Sequence, residues 1–417
     1  MPIQLPSSSF KFPPAWIWLI DEALPVYVKK HYSPMETWKN KPWEKLDSQF
    51  FFKSIFELSE LFTEERPRDL PAYFLQPKFR SAYLLYFLPL QAAKFLRLFS
   101  LHPQAARDAL DHGKAQGKLR LYDLGSGPYT ASIAFCLWAL NEANQSGEAL
   151  PPIEIHGWDT QKGILADGKA ILEDLGSQFP KLREKITVIS HHEPWSRAAR
   201  FSNEAISLIL MGHVLNESPP RGEELPELPA LSQLMSLMKG GGLLMVEPAA
   251  HRSSQHLSRI RDEILAVDQE GLGETPVWGP CLHADKCPLA QGRDWCHFSL
   301  PTEIPGKWFK DFSHRLGSER HWLKFSYVWW AAAGSKVERL ASDMRRVISD
   351  PMKKNGEPTP IVLLCEPEQP IRYSLPSGKG VYRGDIIPYR PSRDLEQMKP
   401  ERFRRKPITG KRTRERN

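Results

Sequence analysis

From Lys118 onward, short apolar runs alternate with helical stretches, and this alternation constrains the fold more than any other feature of the chain. Five runs read as strands: Leu119–Leu124, Ile153–Trp158, Ile186–Ile189, Ala205–Met211 and Gly242–Glu247. Helical patterns separate them near Thr130–Asn144, Gln161–Leu175, Pro194–Arg200 and Pro229–Met238. Repeated strand–helix–strand units with short connections imply a parallel, doubly wound sheet with helices on both faces. A further helix is expected over Gln255–Val267, followed by strands over Lys324–Trp330 and Pro360–Cys365. Ile371–Leu375 and Gly380–Arg383, divided by Pro376-Ser-Gly-Lys379, read as a small hairpin.

Before Lys118 only helical patterns occur. The stretch Arg80–Phe99 is apolar on most faces, which suits a helix buried against the next domain. Trp38, Trp43 and the run Phe50-Phe51-Phe52 precede it; these rings could stack on bases, although core packing is the simpler use. The chain thus divides into an N-terminal helical region (1–115), a cofactor-binding α/β core (116–270), a cysteine-bearing loop with the last strands and a β extension (271–389), and a basic tail (390–417) expected to be disordered.

The strand-to-helix turn Asp123-Leu-Gly-Ser-Gly-Pro-Tyr129 carries the cofactor signal. Gly125 and Gly127 permit a sharp turn and close backbone approach to a ligand. Tyr129 and Thr130 stand where a dinucleotide fingerprint would have its third glycine, and no Gly-Lys-Ser/Thr follows, which disfavours NAD and a phosphate cradle. Asp159 closes the second strand, where a carboxylate can accept hydrogen bonds from a ribose diol. The pair Asp123 and Asp159 on consecutive strands fits S-adenosylmethionine; the alternative is a pair of helix-capping acids. Trp158 is placed either to flank an adenine or to fill the core.

The fourth strand runs into Met211-Gly-His-Val-Leu-Asn-Glu217, at the carboxyl end of the sheet where such folds present the target. His213, Asn216 and Glu217 are the polar candidates for substrate contact or catalysis. The Asn/Asp-Pro-Pro-aromatic clamp of amino-directed methyltransferases is missing. Cys136, in the apolar stretch Ile133–Leu140, reads as core, which disfavours a cysteine nucleophile.

Four of the five cysteines fall in the last third: Cys281, Cys287, Cys296 and Cys365. The first three share a loop with His283 and His297, a combination that points to a metal. Their spacings lack the close Cys-x-x-Cys pairs of zinc fingers and suit a loop wrapped around a larger group such as an iron–sulfur cluster. Zinc and unligated thiols stay open on spacing alone. If the strand over Lys324–Trp330 returns to the cofactor side, an antiparallel last strand would end at Cys365 beside the loop. Four thiolates would then meet at the sheet edge away from the methyl donor.

With 41% hydrophobic and 25% charged residues the composition is that of a globular protein. The apolar run Ser81–Ala93 is shorter than a bilayer span, and the first residues carry neither a signal-peptide nor a transit-peptide pattern, so a cytoplasmic protein without a membrane partner is expected. From Arg390 to Asn417 there are eleven Lys/Arg against four Asp/Glu; this surplus of seven equals the net charge of the whole chain, +7. A basic segment of this kind suits phosphate-backbone binding.

Together, Asp123–Tyr129, Val214-Leu-Asn-Glu217, Val246-Glu-Pro248 and the Cys…Cys-Pro…Cys-His-Phe-Ser loop with its Leu-Leu-Cys365 return resemble the mitochondrial small-ribosomal-subunit methyltransferase-like family. That family comprises methyltransferase-like protein seventeen, its yeast mitoribosomal relative and bacterial homologues. The resemblance runs from about Arg80 to Cys365. It implies a class I methyltransferase fold, S-adenosylmethionine held at Asp123, Gly125, Gly127 and Asp159, and a [4Fe-4S] cluster on Cys281, Cys287, Cys296 and Cys365. It also implies a small ribosomal subunit and its rRNA as partners, with a monomer expected. Two functions follow: a methyltransferase acting on small-subunit rRNA, or a non-catalytic assembly factor that binds rRNA through the same fold. A small-molecule methyltransferase with a zinc-stabilised subdomain is a third, which the basic tail disfavours.

Overall fold

The structure is a computed structural model that describes residues 10–63, 72–201, 204–216, 224–269, 276–317, 321–338, 340–352, 360–375 and 381–389. Five parallel strands form the centre of the main sheet: β1 (Leu119–Leu124), β2 (Ile153–Trp158), β3 (Ile186–His191), β4 (Ile206–Gly212) and β5 (Met238–Pro248). The short β6 (Val277–Gly279) and β7 (Phe298–Pro301) both pair with the long β8 (Trp322–Trp330). The order across the sheet is β3-β2-β1-β4-β5-β8-β6. β8 runs antiparallel to β5 and to β6, so a single reversed strand sits between β5 and the edge. The reversal of strand order between β1 and β4 is the crevice where open α/β sheets bind ligands.

Alternation along the strands sorts the core into two layers. Leu121, Leu208, Leu244 and Val246 face one side, where the N-terminal helices and helix Thr130–Ser146 pack. Tyr122, Ile209, Leu243 and Met245 face the other, against helices Leu228–Ser236 and His251–Gln269. Burial on both faces is why these strands read as continuous apolar runs. The first layer continues without a break from Ala15 to Trp329, so the N-terminal helices share one core with the sheet.

Residues Pro77–Leu101 form one continuous helix, longer than the apolar run within it and long and apolar enough by composition to cross a membrane. Its apolar window is 83% buried inside the protein. Trp43 stacks on buried Phe51 (5.4 Å between centroids), so this pair of the N-terminal aromatics packs in the interior, while Phe50 is exposed. Cys136 is buried in helix Thr130–Ser146, as expected.

The last third differs from the sequence reading. The three-residue β6 carries too little pattern to be read, and Ile361–Leu364 does not join the main sheet. It forms β10 of a separate antiparallel hairpin with β11 (Ile371–Ser374), so the expected partner of 371–375 is wrong. Pro367 and Pro370 stop the first strand from continuing and turn the chain back at once. Val381–Arg383 is no strand; β12 (Ile386–Pro388) pairs instead with β9 (Met344–Arg346). These strands close a small core of Val347, Val362, Leu364, Leu375, Val381, Ile387 and Tyr389. The basic segment 390–417 lies outside the described residues.

Candidate functional site

The turn after β1 is built on left-handed backbone. Gly125 has φ +66° and Gly127 φ +51°, and a Cβ on Gly125 would stand 2.3 Å from Val214 Cγ2. Tyr129, also left-handed (φ 58°), points its ring under Gly157 and donates its hydroxyl to Ser190 Oγ at 2.8 Å. The two acids brace this turn. Asp123 accepts from the backbone N–H (3.1 Å) and hydroxyl (2.6 Å) of Ser132, and burial nevertheless pushes its carboxyl up to about 7. Asp159 accepts from the N–H of Gly127 (3.0 Å) and of Gln161 (2.8 Å); burial raises its pKa too, against those donors. Asp123 thus bonds the first turn of the helix that follows it, Asp159 braces the glycine turn and the chain ahead of helix Lys162–Gln178, and both line the cavity. Each keeps lone-pair sites beyond those bonds.

That cavity has a volume of about 600 Å³ and lies at the carboxyl ends of β1, β2 and β4. Gly125, Gly127, Asp123, Asp159 and Trp158 form one wall; His213 and Asn216 form another. Helical residues Phe62, Tyr73, Phe74, Tyr83, Gln91 and Phe95 close it from the N-terminal side. Trp158 is fully buried and stacked on His191 at 4.2 Å, and it also forms part of the cavity wall. Trp195 and Glu227 also line the cavity.

Buried polar atoms without a partner cluster here. Among the described residues, Gln91 Oε1, Thr130 Oγ1, Trp158 Nε1, Glu227 Oε2 and both amide atoms of Asn216 make no hydrogen bond, and all five residues line the cavity. A buried unsatisfied donor or acceptor costs about 1–3 kcal/mol, so a concentration of them around one cavity marks a surface completed by a polar ligand. Donors (Trp158, Asn216) and acceptors (Gln91, Asn216, Glu227) are both offered. The sequence reading missed Gln91 and Glu227. Gln91 was detectable as a lone amide in the apolar stretch Leu84–Phe95; Glu227 had no such signal.

The three target-side candidates fare differently. His213 takes a left-handed turn (φ 61°), its N–H donating to Val246 O at 2.8 Å. Its Nε2 lies 3.3 Å from Lys94 Nζ, and an ammonium has no lone pair, so Nε2 accepts and the imidazole proton sits on Nδ1. Its basic nitrogen thus faces the protein. Asn216 stands in the wall, and the loop behind it is held by Glu247, which accepts from Leu215 N–H at 3.0 Å. Glu217 lies outside the described residues.

The cysteines lie past the other edge of the sheet: β4, β5 and β8 separate β1 from β6, and the loop follows β6. Cys365 reaches it by a route other than the expected one, from the end of the small hairpin, where its N–H donates to Arg346 O at 2.8 Å. His283 Nε2 is 3.4 Å from Cys365 Sγ. Burial and the neighbouring thiols push Cys287 up to about 11, Cys296 well above its usual value, and Cys365 up as well. Cys281 is among the neighbours acting on each, so the four thiols share one environment. No group of three His, Cys, Asp or Glu side chains among the described residues is disposed to hold a single metal ion.

A sheet ordered 3-2-1-4-5 with one reversed strand inserted before the sixth, and a glycine turn over a polar cavity at the switch point, define a class I methyltransferase fold. Within that class, the chain belongs to the family described as mitochondrial small ribosomal subunit Rsm22, which it matches over residues 131–385. Solved structures show fainter likenesses. A rRNA methylase from Streptococcus thermophilus is 16% identical over 35% of this chain and 67% of its own, with a TM-score of 0.24. The plantazolicin methyltransferase BpumL, solved with SAH, is 10% identical over 68% of this chain and 98% of its own, with a TM-score of 0.30. The fold assignment rests on strand order and not on these likenesses. No curated protein matches the chain.

Proposed function

We propose that the cavity binds S-adenosylmethionine and that the chain acts as a methyltransferase-like protein on the rRNA of the small ribosomal subunit. The observation that carries the cofactor reading is the ring of unpartnered polar atoms around the glycine turn. Gly125 and Gly127 allow the ligand close to the backbone, and Asp159 has lone pairs left for a ribose diol at the end of β2. Thr130, Trp158 and Gln91 would orient the cofactor, and Phe74 and Tyr83 would keep water from it. Bound there, the sulfonium supplies an activated methyl group with a neutral leaving group. The protein's part is then positioning. The subunit partner is proposed from the family's description, and the basic segment 390–417 adds a salt-sensitive phosphate-binding element.

A second reading, a non-catalytic assembly factor, is favoured by one observation: His213 engages its Nε2 with Lys94, so this imidazole is not turned to a target as a general base. Labelled S-adenosylmethionine incubated with the protein and immature small subunits separates the two. Label mapped to one rRNA position is expected for the enzyme; tight particle binding without label would leave only the assembly factor. Cofactor binding itself is checked by calorimetry, where Thr130→Val should weaken S-adenosylhomocysteine binding about three- to tenfold.

We further propose that Cys281, Cys287, Cys296 and Cys365 hold a [4Fe-4S] cluster, whose irons take one thiolate each, whereas no three side chains among the described residues are disposed around a single zinc ion. What supports it is four mutually interacting thiols drawn from two separate segments. In that position, beyond β8, the group would brace the C-terminal unit and take no part in methyl transfer.

A further inference from the structure

Two buried arginines clamp the cysteine loop. Arg261, 1% exposed on helix His251–Gln269, donates to the carbonyl oxygens of His283 and Asp285, between Cys281 and Cys287. It also pairs with Asp262 Oδ1 at 2.6 Å, and that carboxylate accepts the Cys287 N–H at 3.0 Å. Arg346, 6% exposed on β9, donates to Pro280 O, next to Cys281, and to Gly384 O at 2.7 Å.

The two guanidiniums differ in charge balance. Arg261 has Asp262. Arg346 has two carbonyl oxygens and the Phe298 ring, whose centroid is 6.0 Å from its guanidinium carbon, and no carboxylate pairs with it among the described residues. A buried cation without a counter-ion is costly, and an exposed surface position would have avoided that cost. Arg346 is held against two of the cysteines: its guanidinium donates to the Pro280 carbonyl just before Cys281, and its own carbonyl accepts the N–H of Cys365 at 2.8 Å. As neutral thiols these leave the cation uncompensated. Four thiolates around an oxidised four-iron, four-sulfur core, or around zinc, leave a surplus of about two negative charges, of which Arg346 would offset one, Arg261 being paired already with Asp262.

We propose that Arg346 is a built-in counter-charge for an anionic thiolate-ligated iron–sulfur group on Cys281, Cys287, Cys296 and Cys365, setting how firmly it is held and how readily it is reduced. This rests on the iron–sulfur reading given above. Arg346 is a positioning residue: it touches loop carbonyls and acts on the group through charge.

The test uses the full chain purified without oxygen, as wild type, Arg346→Met and Arg346→Lys. Iron and acid-labile sulfide per chain, the rate of iron loss to a chelator, and the midpoint potential are measured. S-adenosylhomocysteine binding at the distant cavity and the circular dichroism spectrum check that each variant is folded. Arg346→Met should lose iron about tenfold to a hundredfold faster. Its potential should move to more negative values, because reduction adds a negative charge with one nearby cation fewer. Arg346→Lys keeps the charge but not the two-carbonyl fork, and should keep a potential close to wild type.

A Met variant with wild-type potential and iron retention overturns the proposal. So do Met and Lys variants that fail alike, since the arginine would then be a clamp only. Wild-type protein with zinc and no sulfide defeats the iron–sulfur reading alone; faster zinc loss from Met than from Lys would then uphold the counter-charge. Wild-type protein with no metal overturns both.

Discussion

Asp123 shows how a single side chain can serve the fold and the cofactor at once. Burial lifts its pKa from 3.8 to about 7, outweighing the two donors from Ser132. A carboxyl with a raised folded-state pKa contributes stability that is complete below the unfolded value and is lost as pH rises through the folded one. Stability should therefore fall between about pH 4 and about pH 7 by on the order of a few kcal/mol, and Asp123→Asn should flatten that slope. Urea titrations at the two ends of this window check it; equal slopes for both proteins would remove the assignment. The residue's position was legible from the glycine turn that follows it. Its partner Ser132 was not, because a carboxylate nine residues earlier contacts it only once strand and helix are packed.

At the scale of elements, the first five strands follow from apolar runs buried on both faces, and their sequence limits nearly coincide with the observed ones. β5 is the exception, starting at Met238 instead of Gly242. Gly240, Gly241 and Gly242 lie inside the observed strand, at the point where its register against β4 shifts. Gly241 and Gly242 carry φ +54° and +111°, and a Cβ on Gly242 would lie 1.8 Å from Trp330 O. Trp278 and Trp329 both donate their indole N–H to Gly241 O, at 2.9 and 3.1 Å. Gly242→Ala should thus cost several kcal/mol or abolish soluble expression, whereas Gly147→Ala, with open space around its Cβ, should cost only the left-handed strain of about 1–2 kcal/mol. Thermal unfolding of both variants tests this, and comparable losses would mean the close approach to β8 is not what selects glycine. The hairpin was mispaired for a related reason: alternation identifies a strand but not its neighbour, and Ile371–Ser374 had two candidates.

For the whole molecule, the N-terminal helices matter because they complete the cavity. Tyr27 and Tyr32 both donate to Asp167, Arg80 pairs with the same carboxylate at 3.3 Å, and Arg80 Nη1 donates to Phe74 O at 3.1 Å. This network ties the helical region to helix Lys162–Gln178 and sets Phe74 over Gly127. Asp167→Asn should destabilise the protein by about 1–3 kcal/mol and also weaken S-adenosylhomocysteine binding. Chemical denaturation and calorimetry measure the two; a stability loss with unchanged affinity would show that the network does not position the cavity wall. The sequence alone determined the doubly wound core, the glycine turn, the crowding of cysteines and the basic end, because periodicity, backbone permissiveness and charge are local properties. Only the tertiary structure decided that the N-terminal helices close the cavity, that His213 faces Lys94, that Cys365 arrives from a separate hairpin, and that Arg346 is buried beside the thiols. Each of those is a contact between segments far apart in the chain, and long-range packing leaves no period or spacing to read.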